Sequence, residues 1–181
     1  MSCAVYSDMC STEHRYVSGV ESWISSNQSL IPSAVAAART ADIVIAVVGD
    51  GDRTCGEAQD RVHLDLPGAQ PELLTALAGS GTPVVAVLIT GRPVTFERTP
   101  GLVLRLGALV AAWRPGAQGG PALWALLKGE ENFSGSDSAA WARTLTGMCV
   151  SAFLIVLFRI DCDFSYRWMT KSVTILPGCT I

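Results

Sequence analysis

Asp50, Asp52, Arg53, Glu57, Asp60 and Arg61 fall together within residues 50–61. Carboxylates at this density can bind hydroxyls or move protons, and the two arginines can hold them in place. The run follows residues 43–48, which are apolar, rich in β-branched side chains and closed by Gly49. Such a run, apolar on both faces, predicts a buried strand. Open α/β sheets place their chemistry at the carboxyl edge of their strands, so an active residue is expected in this loop. By spacing alone, Glu57 reads as a solvated loop carboxylate paired with Arg53 or Arg61. Asp60 and Arg61 read as a pair that locks the loop. Asp50 and Asp52 read as solvated or as acceptors for loop amides. Arg92, after the second apolar run, has a structural reading, and Trp113 reads as core, although an aromatic there could stack on a sugar face.

The elements that must position this loop follow from pattern. Pro32 and Ser33 predict a helix start with Ser33 as N-cap and an alanine-rich helix over residues 34–39. After the loop, Pro67-Gly68 opens a helix over residues 69–78, with Leu73, Leu74 and Leu77 on one face and Gln70 on the same side. Gly79 and Gly81 end it. Residues 83–89, PVVAVLI, predict a second buried strand. Strand, helix and strand make a βαβ unit, the building block of a parallel sheet. Residues 102–112 predict a third strand, centred on residues 108–113 and ending at Trp113. A last helix starts with Pro121 at its first position and carries Leu123, Trp124 and Leu127 as an apolar stripe until Gly129. Residues 4–6 read as a short strand and residues 139–146 as a helix. Residues 148–158 are almost wholly apolar and read as a buried strand or an aggregation-prone misfit rather than a membrane anchor.

Composition narrows the function. The 181 residues are 49% hydrophobic and 16% charged, with a net charge of -3. That fits one folded domain with a real core. No basic cluster points to nucleic acid. The uncharged stretch of residues 144–158, strongly apolar only in its second half, is short against the roughly 20 residues a spanning helix needs, so a membrane role is not expected. No signal peptide is read at the N-terminus. The six cysteines form no CxxC pair, and His14 and His63 are the only histidines. No metal site is expected, and a Cys10–Cys55 bridge is left open. Gly119-Gly120 lacks the spacing of a phosphate loop, so no nucleotide cofactor is expected.

An ordered set of segments carries a family resemblance. They are AVAAARTADIVIAVVGD (residues 34–50), CGEAQDRVHLDLPGAQPELL (55–74), PVVAVLITGRPV (83–94), AAWRPGAQGGPALWALLKG (111–129) and NFSG (132–135). In order and spacing this set resembles glycoside hydrolase family 3, specifically the second, α/β-sandwich domain of its β-glucosidases and β-xylosidases. The resemblance implies a three-layer α/β/α sandwich with a mostly parallel sheet, as an incomplete copy, followed by a tail of unassigned structure. Residues 1–136 are read as the family-like domain, with the best match over 34–135, and residues 137–181 as an off-family tail.

The resemblance also implies chemistry. In the family a loop of this domain reaches over the sugar site and supplies the acid/base glutamate in Gly-Glu-x-x-Asp-Arg. Here that motif is Gly56-Glu57-Ala58-Gln59-Asp60-Arg61, which makes Glu57 the acid/base candidate. Asp60, Arg61, Asp50 and Trp113 are the substrate-binding candidates. A retaining glycosidase needs a second carboxyl group about 5–5.5 Å away as nucleophile. The family carries it on a (β/α)8-type barrel. A barrel needs about 250 residues, so the implied partners are a carbohydrate substrate and a barrel domain beyond these residues. The nucleophile is unknown. Two departures stand out: Ala58 replaces the family's usual glycine after the glutamate, and Phe133 replaces the proline of an NPSG-like motif. The expected function is hydrolysis of O-glycosyl bonds in β-glucosides or β-xylosides, with this domain supplying the acid/base. The alternatives are a non-catalytic carbohydrate-binding or interaction module, and a fragment without function. The family is commonly secreted, but the compartment is left unassigned.

Overall fold

A computed structural model describes residues 15–134, together with the backbone of residues 156–158. The elements run α1 (Ile31–Ala38), β1 (Val44–Gly49), α2 (Gln70–Ala78), β2 (Val84–Ile89), a 3-10 turn (Val103–Arg105), β3 (Ala108–Ala111), α3 (Gly119–Lys128) and β4 (Val156–Phe158). The sheet order is β1-β2-β3-β4. β1 pairs parallel with β2, Val44 opposite Val84 and Gly49 opposite Ile89. β2 pairs parallel with β3, Val85 opposite Ala108. β4 closes the far side of β3 antiparallel. The expected strand at residues 4–6 and the helix at 139–146 lie outside the described residues, as do residues 148–155 of the apolar run expected to form a buried strand.

Side chains of a strand alternate between its two faces, and this sheet buries both. On one face Val44, Ala46, Val48, Val84, Ala86 and Leu88 meet Ala34 and Ala38 of α1 and Leu73, Leu74 and Leu77 of α2. On the other face Ile45, Val87 and Val110 meet Leu123, Trp124 and Leu127 of α3. Helices thus lie on both faces of a mostly parallel sheet, the three-layer α/β arrangement expected from the sequence. The α1–α2 face is the better sealed, with Leu73, Leu74 and Leu77 fully buried. α3 buries only Gly119 completely. A cleft of about 660 Å³ runs between α3 and the sheet, lined by Ile45, Val47, Ile89 and Trp124 among others.

Several boundaries differ from expectation. Ser33 is no N-cap: its hydroxyl donates to the Leu30 carbonyl at 2.8 Å, inside a helix that begins at Ile31. Pro32 needs no N–H in a first turn, so the helix starts ahead of it. Pro121 is likewise third in α3 rather than first, among N–H groups that have no intrahelical acceptor anyway. Residues 103–105 turn as a 3-10 helix instead of extending, and β3 starts at Ala108. Gly129 does end α3, at φ 73°, a left-handed conformation that suits glycine.

Candidate functional site

The loop between β1 and α2 leaves the sheet at Asp50. That carboxylate is not solvated: Asp50 is 2% exposed. Its Oδ1 accepts the Gly91 N–H at 3.1 Å and the Arg114 Nη2 at 3.1 Å. One side chain therefore ties the ends of β1, β2 and β3 together. Its Oδ2 is sealed from solvent and without a hydrogen-bond partner. Gly91 leaves little room at this corner: a Cβ there would lie 2.2 Å from the Cys55 sulfur, so the thiol would have to move. The Cys55 thiol is free, and Cys10 lies outside the described residues.

Beyond Asp50 the chain becomes solvent-facing. Residues 56–60 are all exposed, Glu57 and Asp60 included. Among the described residues Glu57 makes no hydrogen bond or ion pair, so the expected pairing with Arg53 or Arg61 is absent. The expected Asp60–Arg61 pair is absent too. Arg61 turns inward instead. Its Nη2 donates to the Leu64 carbonyl at 3.4 Å, while Nε and Nη1 are buried without partners. Burial pulls the Arg61 guanidinium below its ordinary pKa; the Asp50 charge opposes that shift and the Arg92 charge adds to it. Arg92 has the structural part expected of it, donating from Nη2 to the Gln59 carbonyl at 3.2 Å.

Ala58, next to Glu57, has φ 57°. An L-residue pays about 1–2 kcal/mol for that conformation, and glycine pays none. The departure from the family's glycine at this position therefore has a conformational cost. Trp113 is also left-handed, at φ 52°, and lies beyond the end of β3 at Ala111. It is half-buried rather than a core strand residue. Asp50, Arg61 and Arg114 thus gather at the carboxyl edge of the sheet, and Glu57 and Asp60 project from the loop above it. Among the described residues no group of histidine, cysteine and carboxylate side chains could hold a metal ion. No described helix is long and apolar enough to cross a membrane.

Three supports of the loop were not foreseen. Gln70 is 2% exposed and acts as a clamp on the last residue of β1. Its Oε1 accepts the Gly49 N–H at 2.7 Å, and its Nε2 donates to the Gly49 carbonyl at 2.7 Å and the Trp23 carbonyl at 2.6 Å. A polar residue on the apolar face of α2 was the available signal. Asp65, 6% exposed, closes the loop's other end. It accepts the Thr95 hydroxyl and the backbone N–H groups of Glu97 at 2.9 Å and Arg98 at 2.8 Å. Arg114 is the third. Nothing in its turn sequence, Arg-Pro-Gly, points to Asp50.

Known proteins resemble this chain in sequence and fold. The sequence model of the Glycosyl hydrolase family 3 C-terminal domain matches residues 4–163. The chain is 36% identical over 120 residues to a periplasmic beta-glucosidase of Salmonella typhimurium, covering 66% of this chain and 15% of that protein. It is 36% identical over 112 residues to a beta-xylosidase of Formosa agariphila, covering 62% of this chain and 15% of that protein. It superposes on the crystal structure of a beta-glucosidase from Listeria innocua in complex with glucose, with a TM-score of 0.61 and 30% identity, covering 67% of this chain and 16% of that one. The chain therefore spans about 15% of the length of these curated relatives. On the span of the domain match, the chain belongs to glycosyl hydrolase family 3, through the C-terminal domain of that family.

Proposed function

We propose that this domain supplies Glu57 as the acid/base of a retaining β-glucosidase or β-xylosidase, with the nucleophile carried by a barrel domain elsewhere. One observation carries the reading: Glu57 stands exposed and unpaired within Gly-Glu-x-x-Asp-Arg, on a loop whose two ends are locked by buried polar contacts. A carboxyl group that must give a proton to a leaving oxygen and later take one from water needs a free side chain on a fixed base. In the isolated domain water surrounds Glu57. Docking against a barrel and a bound sugar encloses it, and burial then favours the protonated form. On this reading Asp60, exposed on the same loop, and Trp113, half-buried beyond β3, are the sugar contacts, while Asp50 and Arg61, both turned inward, support the loop.

The test joins this chain to the barrel domain of a family relative and compares wild type with Glu57→Gln. Glutamine keeps the shape and cannot transfer the proton. Turnover of alkyl glycosides, whose leaving groups need protonation, is expected to fall by about 10²–10⁴, the usual worth of general acid catalysis. Cleavage of a nitrophenyl glycoside is expected to lose less in its first step, because that leaving group departs without help. Equal turnover of wild type and variant on the alkyl glycoside rejects the assignment.

A further inference from the structure

Glu57 sits in the middle of a turn. The Gln59 N–H donates to the Gly56 carbonyl at 3.2 Å, which makes Glu57 and Ala58 the two central residues of a four-residue turn. Ala58, at φ 57°, takes the left-handed third position, and Glu57 keeps an ordinary negative φ. That is the backbone pattern of a type II turn, and it sets the direction in which the Glu57 side chain leaves the chain. An alanine in the third position opposes the turn, so a hold from outside matters. Arg92 provides one: its Nη2 donates to the Gln59 carbonyl at 3.2 Å. Among the described residues this is the only hydrogen bond that links residues 51–60 to the rest of the domain.

Arg92 is itself fixed at its base. The Gly91 N–H before it is bonded to the buried Asp50 carboxylate at 3.1 Å. Pro93 after it has its φ locked by the ring. The chain then reaches Val94 and Thr95, each 2% exposed. The Thr95 N–H donates to the Leu64 carbonyl at 3.0 Å. Residues 91–95 therefore touch the loop twice, at Gln59 through the Arg92 side chain and at Leu64 through the backbone. We propose that Arg92 is a positioning residue for Glu57, holding the turn of residues 56–59 through the Gln59 carbonyl. Arg92 fixes the aim of the carboxyl group and does not meet the reacting atoms. This rests on the catalytic reading of Glu57. A proton donor must reach its leaving oxygen at hydrogen-bond distance, and a displacement of about 1 Å can cost ~100-fold in rate.

Two variants test it. Arg92→Met keeps the reach of the stem and removes the donor, and Arg92→Lys keeps a cationic donor. The first measurement is backbone amide relaxation by nuclear magnetic resonance on the full chain. Residues 57–59 are expected near the rigid order parameter of about 0.85 in the wild type and below about 0.6 in Arg92→Met. Val44–Gly49 and Val84–Ile89 should stay rigid in both. Unchanged order parameters at residues 57–59 overturn the proposal. The second measurement uses the chain joined to the barrel domain of a family relative. Arg92→Met is expected to lower kcat on an alkyl glycoside by about 10–100-fold with KM unchanged, and Arg92→Lys to recover part of that loss. Added to Glu57→Gln, Arg92→Met should cost nothing further, because it acts only through Glu57. A raised KM with kcat kept would make Arg92 a sugar contact and overturn the proposal, as would a full additional loss in the double variant. If Glu57→Gln alone leaves turnover intact, the catalytic reading falls, and the relaxation result still decides whether Arg92 holds the turn.

Discussion

The corner built by Asp65 and Gln70 and the loop of residues 51–61 are neighbours in sequence but treat their polar atoms in opposite ways. At the corner a carboxylate and an amide are buried with a partner on every side-chain polar atom. Gln70 satisfies both backbone groups of Gly49, and Asp65 gathers a hydroxyl and two N–H groups. In the loop, Glu57 and Asp60 are exposed, Ala58 is in a strained conformation, and Asp50 and Arg61 leave buried atoms unpaired. Local stability follows satisfied contacts, and function tends to sit where they are incomplete. The corner holds the fold. The loop gives up part of its local bonding to present a free carboxyl group.

This contrast makes ordered predictions. The largest concerns the corner: Gln70→Leu keeps the apolar packing of α2 but strands the Gly49 N–H and carbonyl and the Trp23 carbonyl. It should cost about 2–3 kcal/mol in urea unfolding, the scale of buried groups left unsatisfied. A cost near zero would mean the corner is not the anchor described. A smaller effect of opposite sign is expected in the loop. Ala58→Gly removes the Cβ from a left-handed position and, after the extra entropy of glycine in the unfolded chain, should gain about 0.5–1 kcal/mol. A loss would show that the φ of 57° is not strained in solution. The smallest effect is that of Glu57→Gln on the isolated domain, whose urea midpoint should not shift, as for surface substitutions that touch no cap or network. A marked shift would mean Glu57 has a structural partner.

The same contrast explains what could be read from sequence. β1, β2 and α2 were legible because apolar runs of the right period end at glycines, and tertiary packing agrees with local propensity there. The left-handed Trp113 and the 3-10 turn at residues 103–105 were not, because no local pattern marks them. Glu57 was singled out as a candidate through the Gly-Glu-x-x-Asp-Arg motif alone; its own surroundings suggested ion pairs that do not form. Asp50 was left open between a solvated carboxylate and an acceptor for loop amides; the second holds, but its partners, Gly91 and Arg114, lie 41 and 64 residues away and could not be named. Spacing within a loop carries no trace of such long-range pairing. Gln70 left a local trace, as a polar residue on an apolar face, and the clamp on Gly49 is what that trace meant.

The central claim is that Glu57 transfers the proton in both halves of a two-step glycoside cleavage. The most direct measurement uses Glu57→Ala in the chain joined to a family barrel, with a nitrophenyl glycoside and added azide. Azide attacks the glycosyl intermediate without help from a base, whereas water needs one. The account predicts that azide restores turnover of the variant and that the product is a glycosyl azide of retained configuration. Turnover that azide leaves unchanged, with the free sugar formed at the wild-type rate, would contradict it.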